Sequence, residues 1–569
     1  MQKRWVEQEV TNPAEVEELQ QSLNVDAVLA SLLVGRGINT FEKARFFFRP
    51  EIEHLHDPFL MKDMDLAISR IERAISSGEK ILVYGDYDVD GTTSVALVYS
   101  FFRKYHSAID FYIPDRYKEG YGISTQGIDY AASHGFTLII ALDCGIKSVD
   151  KIAYANTKKI DFIICDHHLP GDELPEAAAI LDPKRLDCEY PYKELSGCGI
   201  GFKLAQAYAQ KNNIPFNDIS CYLDLVAVSI ASDIVPITGE NRVLAWYGLQ
   251  RINSEPCKGL TALMNLSGRK ENLTITDVVF TIGPRINAAG RIDDAKHAVN
   301  LLIAETDAIA FEKGEVINTK NTERREHDSN ITEQALALID ADPELIARKT
   351  TVVYNEQWHK GVIGIVASRL TEKYYRPTIV MTQSNGYAAG SARSVLGFDL
   401  YEALLECSDL LEQFGGHKYA AGLTMRTENI PAFQQKFEEV VGRTIPDELL
   451  IQSIIIEAEL DLNKLDARFY RILKQFEPFG PQNMAPIFVS RNVYTYGSAA
   501  AVGGKHLKMS VRQDNNIVYN CIGFGLAEFL SFVNNGMPFD ICYTIEENKW
   551  MDKTSLQLNI KGIRKSQSA

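Results

Sequence analysis

Cysteine is scarce and follows no pattern. The nine cysteines among 569 residues are odd in number and scattered, with no Cys-x-x-Cys spacing. That argues against a disulfide framework or a thiolate zinc site and fits reduced, buried thiols; Cys144, beside Asp143, reads as a small core residue rather than a nucleophile. Long apolar runs are missing too. The opening MQKRWVEQEV has no apolar core behind its basic residues, and no later run approaches bilayer length. Neither a secretory leader nor a membrane span is expected, and the chain is placed in the cytoplasm. Positive charge is in deficit: 59 Lys and Arg face 75 Asp and Glu, for a net charge of −16. This argues against a uniformly basic nucleic-acid-binding surface, but leaves room for a local basic channel on an acidic body.

What is present is ordinary globular material. Hydrophobic residues make up 46% and charged residues 24%, close to the average for folded proteins. The length is too great for one core and implies roughly three or four domains.

From about residue 80 to 240 a strand, turn, helix pattern repeats. Lys80–Tyr84, Thr137–Leu142, Asp161–Cys165 and Ala178–Leu181 are short, nearly continuous apolar runs, suited to strands of a parallel sheet buried on both faces. Three of them end in acids: Asp86, Asp88 and Asp90 after the first, Asp143 after the second, and Asp166-His167-His168 after the third. Ligands collect beyond the carboxyl ends of such strands, so these residues are expected to converge. Aspartates at alternate positions repel one another when packed together, and a cation is expected among them. A calcium hand does not fit, because Gly91-Thr92-Thr93 follows where its loop needs other spacing.

Residues 1–50 read as a helical leader, 51–254 as the metal-binding α/β domain, and 255–345 as a charged helical connector with a long polar helix. A second α/β domain spans 346–452, in which the helix after Trp358-His359-Lys360-Gly361 buries Val362, Ile365, Val366 and Leu370. From 453 to 569 the pattern alternates, as in His506–Val511 and Ile517–Ile522, indicating a small antiparallel barrel.

The aspartate motif, Asp143, Asp166-His167-His168 and Ala231-Ser232-Asp233 resemble the motifs of the DHH phosphoesterase superfamily. Together with Gly283–Arg291, Gly390–Ser394, Phe414-Gly415-Gly416-His417 and the C-terminal segment, they make nearly the whole chain similar to the RecJ single-stranded-DNA exonucleases. The resemblance implies DHH, DHHA1 and OB-fold domains, and 5′ to 3′ removal of mononucleotides from single-stranded DNA in recombination and repair. Phosphodiester cleavage at neutral pH needs a strong nucleophile and neutralisation of charge on phosphorus and on the leaving oxygen, which two metal ions supply; a mixed carboxylate and imidazole shell suits Mn²⁺, with Mg²⁺ as the competing ion.

By resemblance, Asp143 bridges the two ions, and Asp86, Asp88, Asp90, His167 and Asp233 complete their shells. His168 either contacts the scissile phosphate or only orients His167. Many members of the superfamily, especially the smaller phosphoesterases, carry a histidine where Tyr84 stands; a phenol is a poor ligand at neutral pH, so Asp86 is expected to take that role, and which two of Asp86, Asp88 and Asp90 bind directly stays open. Arg116, Ser391, Arg393, Gly415, Gly416 and His417 are expected to form a pocket for the 5′ end, while Arg285, Asn287 and Arg291 hold the backbone of the strand. A helicase and a single-strand-binding protein are the expected partners of a chain working as a monomer. Two alternatives remain: a phosphodiesterase for short oligonucleotides or cyclic dinucleotides, and a non-catalytic DNA-binding scaffold.

Overall fold

The computed structural model describes residues 3–9, 12–269, 272–513, 517–550 and 553–566. The chain packs as two compact units. The larger comprises Trp5–Gly283, Ala298–Phe311 and Ile454–Ala569, and the smaller Met1–Arg4, Pro284–His297 and Glu312–Ser453.

In the larger unit the apolar runs become a five-stranded sheet. Lys80–Gly85 (β1), Ile109–Tyr112 (β2), Phe136–Leu142 (β3), Asp161–Cys165 (β4) and Ala179–Leu181 (β5) pair in the order β2-β1-β3-β4-β5, every neighbouring pair parallel. Ile81, Leu82, Ile139, Ile140, Ile163 and Ile164 are wholly buried, as two-sided helix cover requires. β2 was not expected from the sequence, and its Asp110 is exposed; an edge strand buries less and loses the continuous apolar signature. The site is carried by the loops beyond β1, β3 and β4 and by three helices: Val89–Phe102 (α1), Gly197–Lys211 (α2) and Leu223–Ser232 (α3).

The same unit contains the C-terminal barrel. Strands Ala458–Glu459, Phe488–Thr495, Phe539–Trp550, Lys553–Lys565, Val518–Gly523, His506–Arg512 and Ala500–Val502 are neighbours in that order, and Phe488–Thr495 also pairs with His506–Arg512 to close the circuit. Tyr519 points into the core, with its hydroxyl bonded to the Leu465 carbonyl, whereas Tyr494 and Tyr496 are exposed. Residues 1–50 include three helices, Pro13–Leu23, Ala27–Gly35 and Phe41–Phe48. Their Leu19, Leu29, Leu33 and Phe47 share one core with Phe488, Val511, Tyr543 and Leu558 of the barrel.

Arg242 locks these parts together. Its buried guanidinium donates to the carbonyls of Phe47 (3.0 Å), Phe476 (2.9 Å), Gln475 (3.2 Å) and Glu477 (2.8 Å) and lies 3.8 Å from the Phe47 ring centroid. Burial, with Arg36 nearby, pulls it down to about 9.

The smaller unit has its own sheet: Gln413–His417 (β9), Ala420–Met425 (β10), Tyr387–Arg393 (β8), Thr378–Ser384 (β7) and Thr351–Tyr354 (β6) in the order β9-β10-β8-β7-β6. Helix Ile363–Tyr374 packs on it, but with Ile363, Val366, Ala367 and Leu370 buried beside Val362, while Ile365 is only half-buried. The buried stripe runs through Ile363, Val366, Ala367 and Leu370, the i, i+3, i+4, i+7 set, and leaves Ile365 at its edge. The long polar helix expected in the connector is Asp307–Asp340, 34 residues.

Arg242→Met leaves four carbonyls without their shared donor. It is expected to cost at least about 2 kcal/mol, read as a lowered urea midpoint of the larger unit; an unchanged midpoint contradicts the clamp.

Candidate metal centre and substrate-binding residues

The acids predicted to converge do so in the larger unit. His167 Nε2 lies 3.2 Å from Asp143 Oδ1, 3.5 Å from Asp233 Oδ2 and 3.8 Å from Asp90 Oδ2. Two groups of potential ligands overlap here, Asp143-His167-His168 and Asp90-His167-Asp233, each with its ligand atoms within 4.8 Å of one another. Neither nitrogen of buried His167 has a hydrogen-bond partner, nor does Asp86 Oδ2. Burial, reinforced by Asp90 and Asp88, pushes the Asp143 carboxyl well above the ordinary range, and the same causes bring Asp233 up to about 8. Burial holds His167 below its usual value, in the neutral form that ligates metals. Orphaned imidazole nitrogens among mutually repelling carboxylates fit a divalent cation by their chemistry.

Asp90 is fixed by contacts the sequence does not advertise. Its Oδ2 accepts from the Gly197 amide (2.7 Å), and its Oδ1 from the Cys198 amide (2.8 Å) and Ser229 Oγ (2.7 Å). The carboxylate thus sits on the positive N-terminus of α2. Ser229 Oγ in turn lies 2.6 Å from Ser196 Oγ, the residue that caps α2. A Cβ at position 197 would stand 2.7 Å from Asp143 Cβ and 3.0 Å from Asp90 Oδ2. Asp143 itself holds a left-handed backbone, φ +58°, strain of the kind that persists at functional sites. Asp88 caps α1, accepting from the Gly91 amide at 3.0 Å.

Asp166 is a positioning residue. Its carboxylate accepts from the amides of Ile146 (2.9 Å), His167 (2.8 Å) and His168 (3.2 Å), and holds His168 Nδ1 at 2.7 Å. Burial alone would raise it, but these bonds and the His168 charge bring it to about 2. Burial lowers His168, yet the Asp166 bond and charge outweigh it and keep the imidazole above its usual value. Its Nε2 faces Tyr121 at 3.2 Å. Tyr84 is buried, donating to the Gly122 carbonyl (2.9 Å) and accepting from the Ser124 amide (3.1 Å), so its phenol is committed to the loop. Asp86 accepts from the Gly122 amide at 3.3 Å and keeps one oxygen free of partners. Cys144 is buried and its thiol pushed far up by burial and then Asp166, in keeping with a core residue.

Arg116 lies on the loop before Tyr121, its guanidinium carbon 4.7 Å from the Tyr87 ring centroid. The other residues expected to bind substrate belong to the smaller unit. Ser391 pairs across the sheet with Gly422, which pairs with Gly415; Arg393 pairs with Ala420, which pairs with His417. Ser391, Arg393, Gly415 and His417 therefore share one sheet face, bare at Gly415 and Gly422, where a Cβ would meet nothing within 4 Å. Gly416 is needed for its backbone, φ +149°. Arg393 donates to Ser391 Oγ (3.0 Å) and Ser368 Oγ (3.2 Å), and among the described residues no carboxylate lies within salt-bridge distance. A half-buried cation without a counter-ion among the described residues suits an anionic ligand. Gly364, whose Cβ would stand 2.9 Å from Ser391 Oγ and 3.1 Å from Arg393 Nη2, was not foreseen. Arg285 donates to Asn318 Oδ1 (3.1 Å) and Arg291 to the Gly361 carbonyl (3.1 Å), while Asn287 Oδ1 is buried without a partner.

Gly197→Ala is expected to weaken Mn²⁺ binding by about 10–100-fold, the usual effect of disturbing groups that orient ligands. Electron paramagnetic resonance of free Mn²⁺ checks this, with circular dichroism confirming the fold; wild-type affinity would contradict the arrangement.

Three family models match the chain: the DHH family N-terminal domain over residues 80–230, the DHHA1 domain over 348–443 and the RecJ OB domain over 456–562. The chain is 37% identical over 564 residues to the single-stranded-DNA-specific exonuclease RecJ of Bacillus subtilis, covering 98% of this chain and 70% of that one. It is 32% identical to the protein of the same description from Escherichia coli, covering 88% and 90%. The crystal structure of RecJ from Thermus thermophilus in complex with Mn²⁺ superposes with a TM-score of 0.85 at 26% identity, covering 99% of this chain and 80% of that one. With its acids gathered on His167 and these likenesses extending from end to end, the chain belongs to the RecJ family.

Proposed function

We propose that the chain hydrolyses single-stranded DNA from its 5′ end and releases 5′-mononucleotides, using two divalent ions, Mn²⁺ or Mg²⁺, in recombination and repair. The observation that carries this reading is the pair of overlapping ligand groups that share His167. Asp86, Asp88, Asp90, Asp143, His167 and Asp233 would hold the ions. Bound ions supply a nucleophile at neutral pH and neutralise charge on the phosphoryl oxygens. Water adds to phosphorus, the P–O3′ bond to the terminal nucleotide breaks, and O3′ takes up a proton. His168, anchored by Asp166, presents Nε2 toward the scissile phosphate, where a cation offsets the growing charge.

The face that bears Ser391, Arg393, Gly415 and His417, with the Gly416 backbone, offers the smaller unit's groups for a terminal phosphate, and Arg285, Asn287 and Arg291 would hold the strand's backbone; Arg116 offers a guanidinium for phosphate in the larger unit. A pocket for the end is what separates an exonuclease from an endonuclease. The RecJ OB domain favours this reading over a phosphodiesterase for dinucleotides, which needs no extended binding surface, and the filled ligand set favours it over a scaffold. A helicase and a single-strand-binding protein would supply and clear the strand, with the chain acting as a cytoplasmic monomer.

The test is digestion of a long single strand labelled at either end. The expected result is immediate release of 5′-labelled mononucleotide, abolished by chelator and by Asp143→Ala. Hydrolysis confined to dinucleotides, or binding of DNA without cleavage, would contradict it. His168→Ala should lower kcat by about 10²–10³-fold, the range for removing one electrostatic stabiliser, with Mn²⁺ affinity nearly unchanged; a change in KM alone would reassign the residue. Arg291→Ala should weaken binding evenly across sequences and reduce the salt slope by about one unit, as fluorescence anisotropy across a salt series would show; an unchanged slope would remove Arg291 from the interface.

A further inference from the structure

Tyr121 is 56% exposed, yet its hydroxyl lies 3.2 Å from His168 Nε2 and 3.5 Å from the main-chain oxygen of Asp143. With Nδ1 held by Asp166, Nε2 is the ring atom left to face a substrate, and Tyr121 occupies it. The Tyr121 ring stands edge-on to His168 (6.1 Å, 83°) and to Tyr87 (6.1 Å, 82°). Tyr87 in turn neighbours the Arg116 guanidinium, 4.7 Å from its centroid. Arg116, Tyr87, Tyr121 and His168 thus form an unbroken row.

The loop that carries Tyr121 is pinned on both sides. The Glu119 carboxylate accepts from Tyr112 Oη (3.0 Å), the Asp115 amide (2.8 Å) and Ser124 Oγ. Gly122 is held through its amide by Asp86 and through its carbonyl by Tyr84. Tyr121 stands between Gly120 and Gly122, at φ +87° and +79°, a region open mainly to glycine. The exposed side chain therefore sits between fixed points and can turn about its own Cα–Cβ bond without the loop unfolding.

Resting on the functional reading above, we propose that Tyr121 keeps His168 Nε2 occupied until the strand's 5′ phosphate binds, and that Tyr87 and Arg116 transmit that event. Capture of a phosphate by Arg116 replaces a cation–π contact with a stronger charge-assisted pair. The guanidinium leaves the face of Tyr87, the Tyr87–Tyr121 contact loosens, and Nε2 becomes available to the scissile phosphate. Tyr121 and Tyr87 act through His168 as positioning residues, so an end phosphate raises the turnover number as well as the affinity. A strand without a free end leaves His168 masked.

The test compares kcat and KM for the full chain with Mn²⁺ on strands bearing a 5′-phosphate or a 5′-hydroxyl, for wild type, Tyr121→Phe and Tyr87→Leu, with Mn²⁺ binding measured in each. Wild type should show a higher kcat on the phosphorylated strand. Both variants should gain kcat on the hydroxyl strand and narrow the kcat ratio by about tenfold, the worth of one hydrogen bond to a charged group. The coupling is overturned if wild type has equal kcat on the two strands, if both variants keep the wild-type ratio, or if kcat falls alike on both strands, the mark of a merely structural tyrosine. A wild-type protein that removes no nucleotides from either 5′ end sinks the functional reading itself.

Discussion

Asp90 sits where separate stretches of the chain must meet. Its carboxylate takes two amides from the start of α2 and a hydroxyl from α3, and its free edge looks toward His167 at the end of β4. Three elements are thereby held to one another through a single buried anion, and the positive helix end makes that anion tolerable. Close packing follows. α2 comes so near that only glycine fits at 197, and Asp143 adopts a left-handed backbone. The remaining carboxylates are left facing one another across a few ångströms, each raising the others. A divalent ion resolves that conflict, and the fold makes sense as a device for keeping the conflict in place.

Two kinds of histidine environment follow from the same strand end. His167 is buried, its nitrogens unpartnered among the described residues, and held below its usual value by burial; His168, next to it, is tied to Asp166, which raises it above its usual value. Neutral imidazole is a ligand and imidazolium is a partner for phosphate. Burial sets the first environment, and the Asp166 bond and charge, outweighing burial, set the second. The smaller unit inverts the electrostatics: Arg393 is half-buried with hydroxyls and a carbonyl for company. A net charge of −16 thus coexists with a local cation that faces no carboxylate among the described residues.

Much of this was legible in the sequence because it rests on local signals. Continuous apolar runs gave four strands of the parallel sheet, the acids at their ends gave the convergence, and period-two segments gave barrel strands. What escaped notice depends on distance in sequence. β2 was missed because an edge strand tolerates Asp110; Ile365 was placed in the core because more than one apolar stripe fits this helix, and the packed one runs through Ile363, Val366, Ala367 and Leu370. Gly197, in Ser-Gly-Cys-Gly, looks like any turn until Asp143 stands 2.7 Å from where its Cβ would be. Ser229 lies in an apolar helix and gives no sign that its hydroxyl serves Asp90. The first fifty residues read as a leader, while Leu29, Leu33 and Phe47 belong to the core of a barrel more than four hundred residues away.

The central claim is that the strand-end acids hold a pair of cations with His167 between them. Diffraction from Mn²⁺-soaked crystals, collected at the manganese absorption edge, tests it most directly. The account predicts two anomalous peaks per chain, one beside Asp143 and one beside Asp90 and Asp233, both within coordination distance of the shared acids and imidazole. One peak, or none at this position, would contradict it.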